Sequence, residues 1–304
     1  MIRVLLIGCG DIALRTAELL RGKARLYGLT RQPGEISTLR GRGIVPIVGD
    51  LDCGASLGRL RLAPFAVLHF APPPAQGRDD PRTARLVAAL TKARIIPQRF
   101  VYISTTGVYG DCAGARIGEA RPRRPQTPRA RRRVVAEDRL RRWAGRYGVS
   151  LSLLRAPGIY AATRLPLERI RQATPSLRTD EDVFTNHIHA DDLARAAVAA
   201  AFRGKPNRAY NISDDAELKL GAWLDAIADT FRLPRPPRIS WSEAQTRIAP
   251  MLLSFMNESR RVVNTRMKRE LRMRLDYPTP STLLAGLAAH PLSRQLALPL
   301  EPAP

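Results

Sequence analysis

A short apolar strand leads directly into a glycine-rich turn near the start of this chain. Residues 4–7 are apolar, Gly8-Cys9-Gly10-Asp11-Ile12-Ala13 follows, and an amphipathic helical pattern continues to Leu20. In a G-x-G-x-x-A pattern the first glycine permits a tight turn, the second lets a diphosphate approach the backbone, and the alanine lets helix pack on strand. Free N–H groups at the helix start attract phosphate. The pattern predicts a dinucleotide site formed by Gly8, Gly10, Asp11, Ile12 and Ala13.

The first half of the chain alternates short apolar strands with amphipathic helices. Strands are predicted at residues 4–7, 26–29, 44–48, 67–70, 100–104 and 151–154, and helices at 12–20, 84–92 and 129–147. Apolar strands that alternate with helices form parallel sheets covered on both faces. The fold class predicted is therefore α/β, with a Rossmann-type doubly wound parallel sheet.

The pattern changes after residue 157. Helical segments at residues 190–202, 218–231, 241–255 and 261–271 are separated by proline-rich connections, with a short strand at 209–212. We expect a Rossmann domain over residues 1–157 and a smaller, mostly helical substrate-binding lobe over 158–290, from which the sheet can recruit strands. Residues 291–304 are proline-rich without helical periodicity, which predicts a flexible tail.

The end of the second predicted strand indicates which dinucleotide binds. An NAD site usually places Asp or Glu there to bind the ribose hydroxyls, but this strand ends Gly-Leu-Thr-Arg31 without an acid. The Arg31 guanidinium can pair with a 2′-phosphate, so the sequence predicts NADP, with NAD as the alternative. Asp50 and Ala71, which follow the third and fourth strands, are predicted to border the adenosine.

The chain is strongly basic. Its 50 Lys and Arg residues against 27 Asp and Glu residues give a formal net charge of +23, which attracts anions at low salt. Twelve arginines lie in residues 116–146, here called the arginine belt. This belt is interpreted either as an anion-binding wall beside a substrate site or as a solvated loop and helix face.

Several other kinds of site are disfavoured. The three cysteines are far apart and form no Cys-x-x-Cys pair, which indicates a reduced, cytoplasmic protein without disulfides. His187 and His189 lack an evident third ligand, so no metal site is predicted. No apolar run is long enough to span a membrane, and no membrane contact is expected.

Further segments carry a family resemblance. They are Ser-Thr-Thr-Gly-Val-Tyr-Gly at 104–110, Leu-Arg-Ala-Pro-Gly-Ile-Tyr at 154–160, His-Ile-His-Ala-Asp-Asp-Leu-Ala at 187–194, Tyr-Asn-Ile-Ser-Asp-Asp at 210–215 and Glu-Ser-Arg-Arg-Val at 258–262. Together with residues 8–13, the pattern resembles the extended short-chain dehydrogenase/reductases, the NAD(P)-dependent epimerase/dehydratase family, and within it the atypical YeeZ-type branch. The resemblance implies a cofactor-binding Rossmann domain and a C-terminal substrate lobe.

The resemblance also implies catalysis by a Ser/Thr, a Tyr and a Lys, and here the chain departs from the pattern. Thr105 matches the Ser/Thr that binds the substrate oxygen. Aligning Glu137 with the family's Glu places Arg129 at the Tyr position and Arg133 at the Lys position. An arginine has no proton to give near neutral pH, whereas Arg133 can still contact the nicotinamide ribose. The proton would then come from Tyr109, Tyr160 or water.

Three functions stay open from the sequence. The first is an NAD(P)-dependent oxidoreductase or epimerase-like enzyme that acts on a carbonyl or alcohol of an anionic metabolite or sugar nucleotide. The second is a catalytically silent NADP-binding sensor or partner module. The third is a nucleic-acid-associated protein that uses the arginine belt and a tail peptide, residues 295–300, which resembles sliding-clamp-binding peptides. A homodimer is a further partner prediction.

Overall fold

The computed structural model describes residues 1–60 and 62–289. The strands are β1 (Ile2–Ile7), β2 (Ala24–Thr30), β3 (Ile44–Val48), β4 (Ala66–His69), β5 (Arg99–Thr105), β6 (Arg116–Ile117), β7 (Ser150–Ala156), β8 (Gly158–Tyr160), β9 (Ser176–Leu177), β10 (Phe184–Thr185), β11 (His187–His189), β12 (Arg208–Asn211), β13 (Leu218–Lys219), β14 (Arg238–Ile239) and β15 (Arg261–Val262). The helices are α1 (Asp11–Leu20), α2 (Ile36–Gly41), α3 (Pro81–Lys92), α4 (Pro128–Tyr147), α5 (Leu167–Arg171), α6 (Ala190–Arg203), α7 (Leu220–Thr230), α8 (Trp241–Arg247), α9 (Pro250–Leu253), α10 (Thr265–Glu270) and α11 (Pro280–Ala288).

A parallel sheet organises the described part of the chain. Its seven strands lie in the order β12-β7-β5-β4-β1-β2-β3, and all six neighbouring pairs are parallel. The order reverses direction next to β1, so the strand ends around β1, β4 and β5 border a crevice where such sheets bind ligands. The predicted α/β class with a Rossmann-type sheet is confirmed.

Helices cover both faces of the sheet because its strands are apolar on both sides. In β1, Val4 and Leu6 face one core, which α1 and α6 cover, while Leu5 and Ile7 face the other, which α3 and α4 cover. The α6 helix is rich in alanine, and these small side chains let it pack closely against α1 and the sheet. No helix of the described residues is long and apolar enough to cross a membrane.

The segment expected to form the smaller lobe divides between two places. β12 pairs with β7 at the edge of the central sheet, and α6 covers that sheet, so both extend the Rossmann unit. Much of the rest of the segment packs around Trp223 and Leu224 of α7, together with α5, α8 and α11, whereas Met267 of α10 joins the core of the central sheet. Three short parallel strand pairs and one antiparallel pair tie this cluster together and to the turn after β5.

Two predicted helices are wrong in extent. The helix expected over residues 241–255 is broken because Ile248 and Ala249 are extended before Pro250, and a residue before proline disfavours helix. The helix expected over 261–271 begins only at Thr265, because β15 pairs with β6 instead. The predicted tail at 291–304 and the clamp-like peptide at 295–300 lie outside the described residues.

Candidate functional site

The turn between β1 and α1 leaves room for a ligand at the helix start. Gly8 has φ of +86°, and a Cβ there would lie 2.8 Å from the Ala71 backbone nitrogen, so the turn requires glycine. Gly10 is the N-cap of α1, and no side chain caps the helix there. A Cβ on Gly10 would meet no atom of the described chain within 4 Å. Open space and uncapped N–H groups together fit a diphosphate.

The next three residues of the turn have different surroundings. Ala13 is 1% exposed and packs against the sheet, while Ile12 is half-buried beside the same core. The Asp11 carboxylate pairs with Arg15 at 2.8 Å and with Arg164 at 3.1 Å. Although burial alone would raise it, the hydrogen bonds from these two arginines lower the pKa of Asp11. Asp11 therefore links the start of α1 to Arg164 in the C-terminal lobe, so its carboxylate is not directed only towards a phosphate site.

A cavity of about 240 Å³ continues from the glycine turn along the ends of β2, β3 and β4. Gly8, Gly10, Arg31, Asp50 and Ala71 all line it. The structure thus brings together five of the eight residues predicted to hold the cofactor, at the position where an adenosine binds in such sheets.

Two charged residues that the sequence analysis missed line this cavity as well. Glu35 lies in the turn after β2, and its Oε2 accepts a hydrogen bond of 2.6 Å from the Thr30 hydroxyl. Arg82 donates to the Asp52 carboxylate and to the Pro72 carbonyl at 3.1 Å. Pro33 starts the turn that folds Glu35 back to the strand end, which is the sequence signal for its position. Glu35 therefore brings an acidic side chain close to the end of β2, where the strand itself has none.

A second cavity, of about 330 Å³, lies between the end of β5 and the lobe. Thr105 lines it at the last position of β5. Its Oγ1 accepts a 3.1 Å hydrogen bond from the Gly107 amide, so the hydroxyl proton stays free for donation. Thr105 therefore meets the geometric requirement for binding a substrate oxygen in this cavity.

The two arginines predicted to occupy the Tyr and Lys positions of the family make contacts in different places. Arg129 lines the second cavity, where Nη1 donates to the Ser254 hydroxyl at 2.9 Å and the guanidinium stacks 3.8 Å from the Phe255 ring centre. Arg133 donates from Nη1 to the Ile103 carbonyl at 2.7 Å and to the Tyr102 hydroxyl at 3.0 Å. Arg133 is thus anchored on β5, one turn of α4 away from Arg129.

Tyr109 does not line either cavity, contrary to its candidacy as a proton donor. It is 1% exposed, and its hydroxyl donates to Asn211 Oδ1 at 2.6 Å and accepts from Arg155 at 2.9 Å. Arg155 also forms a two-pronged pair with the buried Glu137, at 3.0 and 2.7 Å. Burial would raise the pKa of Glu137, but the bonds and charge of Arg155 lower it. These groups form a buried structural network beneath the cavity.

The lobe side of the second cavity holds Tyr160 and His187. Burial lowers the pKa of His187 to about 4, so its ring is neutral at pH 7, and its Nδ1 has no hydrogen-bond partner in the described residues. Burial and the nearby Asp214 raise the pKa of Tyr160. A neutral imidazole and a phenol of raised pKa are weak acids, but Tyr160 does line the cavity, so its candidacy as the proton donor stays a prediction.

Glu258 and Arg260 complete the cavity wall, and the sequence analysis gave them no role. Arg260 Nη1 donates to Glu258 Oε2 and to the Gly110 carbonyl, both at 2.8 Å. Glu258 is 8% exposed, and its Oε1 has no hydrogen-bond partner among the described residues. The polar Glu-Ser-Arg-Arg run was the sequence signal for these two residues. No local pattern in the sequence, however, predicts that this run packs against the turn after β5.

The arginine belt is largely engaged within the chain. Many of its side chains contact acids or carbonyls of the fold. The pairs are Arg116 with Glu217, Arg123 with Glu137 and Asp138, Arg132 with the Gly77 carbonyl, Arg139 with Asp79, and Arg141 with Asn207. Across residues 1–60 and 62–289, no group of three or more His, Cys, Asp or Glu residues could hold a metal ion.

Comparisons with known proteins identify a family and several relatives of this chain. The sequence model described as the NAD dependent epimerase/dehydratase family matches residues 16–213. Human dTDP-D-glucose 4,6-dehydratase is 25% identical over 143 residues, 44% of this chain and 40% of that protein. The match therefore spans about two fifths of that relative's length.

Solved structures resemble the chain over nearly its whole length. A functionally unknown conserved protein from Silicibacter pomeroyi superposes with a TM-score of 0.79 and 28% identity, over 95% of this chain and 99% of that one. The Bacillus anthracis dTDP-glucose 4,6-dehydratase, solved in complex with NAD, superposes with a TM-score of 0.74 over 93% of this chain and 94% of that one. At 16% identity the second likeness shows the fold alone.

Proposed function

This chain belongs to the NAD dependent epimerase/dehydratase family, and we propose that it binds a nicotinamide dinucleotide, NADP in preference to NAD. We further propose that it acts on a carbonyl or alcohol group of an anionic metabolite or sugar nucleotide. The observation that carries the proposal is the open, uncapped start of α1 at Gly10, which lines the cavity that reaches Arg31, while a separate cavity holds Thr105.

The first cavity would hold the adenosine half of the dinucleotide. Gly8 and Gly10 would admit the diphosphate, while Asp50 and Ala71 would border the adenosine. Arg31 supplies a guanidinium group for a 2′-phosphate, which supports NADP, while Arg82 in the same cavity is already paired with Asp52. Glu35 is the basis of the NAD alternative, because a carboxylate accepts hydrogen bonds from ribose hydroxyls and repels a phosphate.

The second cavity would hold the reacting group. A bound nicotinamide supplies a hydride donor or acceptor. Thr105 would donate its free hydroxyl proton to the substrate oxygen in a hydrogen bond and so orient it. Arg129 would keep a positive charge close to that oxygen, which favours negative charge as it develops. We propose that water supplies the transferred proton, because Arg129 holds the Tyr position.

A catalytically silent NADP-binding module is the second candidate. Arg129 and Arg133 both stand where the family pattern has its proton-handling Tyr and Lys, and both make contacts within the fold. Such a module would bind the dinucleotide without catalysing a reaction. A partner protein would then bind the occupied and the empty forms with different affinity. Homodimer formation and contacts with nucleic acid or a sliding clamp stay predictions.

Turnover separates the two candidates. The purified chain is mixed either with NADPH or NADH and a panel of anionic carbonyl compounds, or with NADP+ or NAD+ and a panel of anionic alcohols that includes dTDP-glucose. Nicotinamide absorbance and loss of the added compound are both followed, because a reaction that returns the hydride leaves the absorbance unchanged. We expect turnover of at least one compound, and Thr105→Ala should slow it about tenfold or more because a hydrogen bond to a charged group contributes about 1.5–3 kcal/mol. Thr105→Ser keeps the hydroxyl and should retain the rate. Dinucleotide binding without any turnover would favour the silent module.

A further inference from the structure

Arg164 connects the C-terminal lobe to the start of α1 through one ion pair. It ends the short helical turn at Ala162–Arg164 that follows β8, and its Nη1 lies 3.1 Å from Asp11 Oδ2. Asp11 is the first residue of α1, directly after the N-cap Gly10. Within the described residues the Arg164 guanidinium makes no other hydrogen bond. Its remaining N–H groups are therefore available to a ligand beside the start of α1.

The same side chain also lies at the second cavity. Arg164 lines that cavity, whereas Gly10, the neighbour of its partner Asp11, lines the first one. In a nicotinamide dinucleotide the diphosphate joins the adenosine half to the nicotinamide half. A dinucleotide that occupies both cavities must therefore pass its diphosphate between the glycine turn on one side and Arg164 on the other.

The pair between Asp11 and Arg164 can be exchanged for a ligand at little cost. The two side chains are 40% and 39% exposed, and water screens an ion pair that is so exposed. Paired hydrogen bonds from a guanidinium to a phosphate are stronger. Asp11 also pairs with Arg15 at 2.8 Å, so its carboxylate keeps a partner if Arg164 turns away.

We propose that Arg164 binds the diphosphate of the dinucleotide from the lobe side and exchanges its Asp11 partner for phosphate when the ligand enters. The inference rests on the proposed function, because it takes the glycine turn as the dinucleotide site. The amides at the start of α1 would bind the same diphosphate from the sheet side. Asp11 holds the guanidinium in the free chain, so its carboxylate competes with the ligand.

Titrations of the full chain with NADPH, NADH and ADP test this contact. All three probes carry a diphosphate, and ADP lacks the nicotinamide half. Fluorescence reports binding of the two reduced dinucleotides, and calorimetry reports binding of ADP. Arg164→Met should weaken all three probes about tenfold or more, because each loses the same charge-assisted hydrogen bonds.

Arg178→Met is the matched control for the loss of one positive charge. Arg178 is an exposed arginine of the same lobe, and it is absent from the described lining of both cavities. This variant should bind NADPH, NADH and ADP as wild type does.

Asp11→Asn separates a phosphate contact from a merely structural link. Asp11→Asn and Arg164→Met both break the ion pair between α1 and the lobe. If that pair acted only by positioning the lobe, both variants would bind the probes more weakly than wild type. We expect instead that Asp11→Asn binds NADPH at least as tightly as wild type, because it frees Arg164 and removes the competing carboxylate. Thermal unfolding checks that both variants stay folded.

Several results would overturn the inference. They are unchanged affinities in Arg164→Met, a loss confined to NADPH, a loss confined to the two dinucleotides with ADP unaffected, and equal weakening in Arg164→Met and Asp11→Asn. A loss confined to NADPH would place Arg164 at the 2′-phosphate, and an unaffected ADP would place it at the nicotinamide half. In each case wild type still binds NADPH, so the proposed function stands. Wild type that binds neither NADPH nor NADH would instead remove the proposed function itself.

Discussion

Asp214 gives the sharpest prediction about the protein's stability. This carboxyl is 2% exposed, behind Tyr160 and close to Asp215 and Asp192. Burial raises its pKa to about 8, the Ala216 amide and Tyr160 hydroxyl work against that rise, and the two neighbouring acids add to it. The folded chain therefore keeps Asp214 protonated at pH values where an unfolded chain has lost the proton.

The sign and size of the effect follow from linkage. Between the unfolded pKa of about 4 and the folded pKa of about 8, the unfolded chain binds fewer protons, so stability falls as pH rises. Burial lowers the pKa of His69 to about 3 and of His187 to about 4, and these rings act in the opposite direction below about pH 6.5. Above that pH the histidine contribution fades as the unfolded rings lose their remaining protons, while the Asp214 contribution by itself falls by about 2 kcal/mol between pH 6.5 and 8.

Denaturant unfolding followed by tryptophan fluorescence measures this slope. The free energy of unfolding of wild type relative to Asp214→Asn should fall by about 2 kcal/mol from pH 6.5 to 8, because the histidine contribution is common to both proteins and cancels in the difference. Asp229→Asn is the matched control, because Asp229 is exposed and pairs with Arg235, and its charge is not among those that raise the pKa of Asp214, so it should preserve the wild-type slope. Equal slopes in wild type and Asp214→Asn would refute the reasoning.

The remaining predictions concern dinucleotide choice. If the proposed NADP site is right, Arg31→Ala should weaken NADPH about tenfold and leave NADH nearly unchanged, because NADH has no 2′-phosphate for that guanidinium to bind. Glu35→Gln should weaken NADH and strengthen NADPH, because it removes a carboxylate from the ribose end of the cavity. Fluorescence titrations of both dinucleotides check the two variants, and an Arg31→Ala variant that binds both as wild type does would place the phosphate elsewhere.

The central sheet was predictable because its signals are local. Strands buried on both faces read as short apolar runs, so β1, β3 and β5 appear in the sequence almost at their observed bounds. The lobe was less predictable, because β6 and β15 have two residues each and pair across a long stretch of chain. The break at Pro250 was visible in the sequence, but the amphipathic pattern on both sides of it favoured one long helix.

The residues of the candidate site were also predictable only in part. Gly8, Gly10 and Thr105 could be predicted to line a cavity because each lies at or just after the end of a strand, where position along the chain fixes position in space. Glu35 and Glu258 were not found, because each reaches its cavity through a turn or a distant segment. Contacts between residues far apart in the chain produce no periodic pattern in a single sequence, so they could not be predicted from it.

Dinucleotide titration of wild type and Gly10→Ala tests the central claim most directly. Gly10 has a negative φ, and an added methyl would meet no atom of the described chain within 4 Å, so the variant should fold with an unchanged unfolding midpoint. That methyl would occupy the space of the diphosphate. We expect saturable NADPH binding to wild type and affinity reduced about tenfold or more in Gly10→Ala. Absence of NADPH and NADH binding, or equal binding by both proteins, would contradict the account.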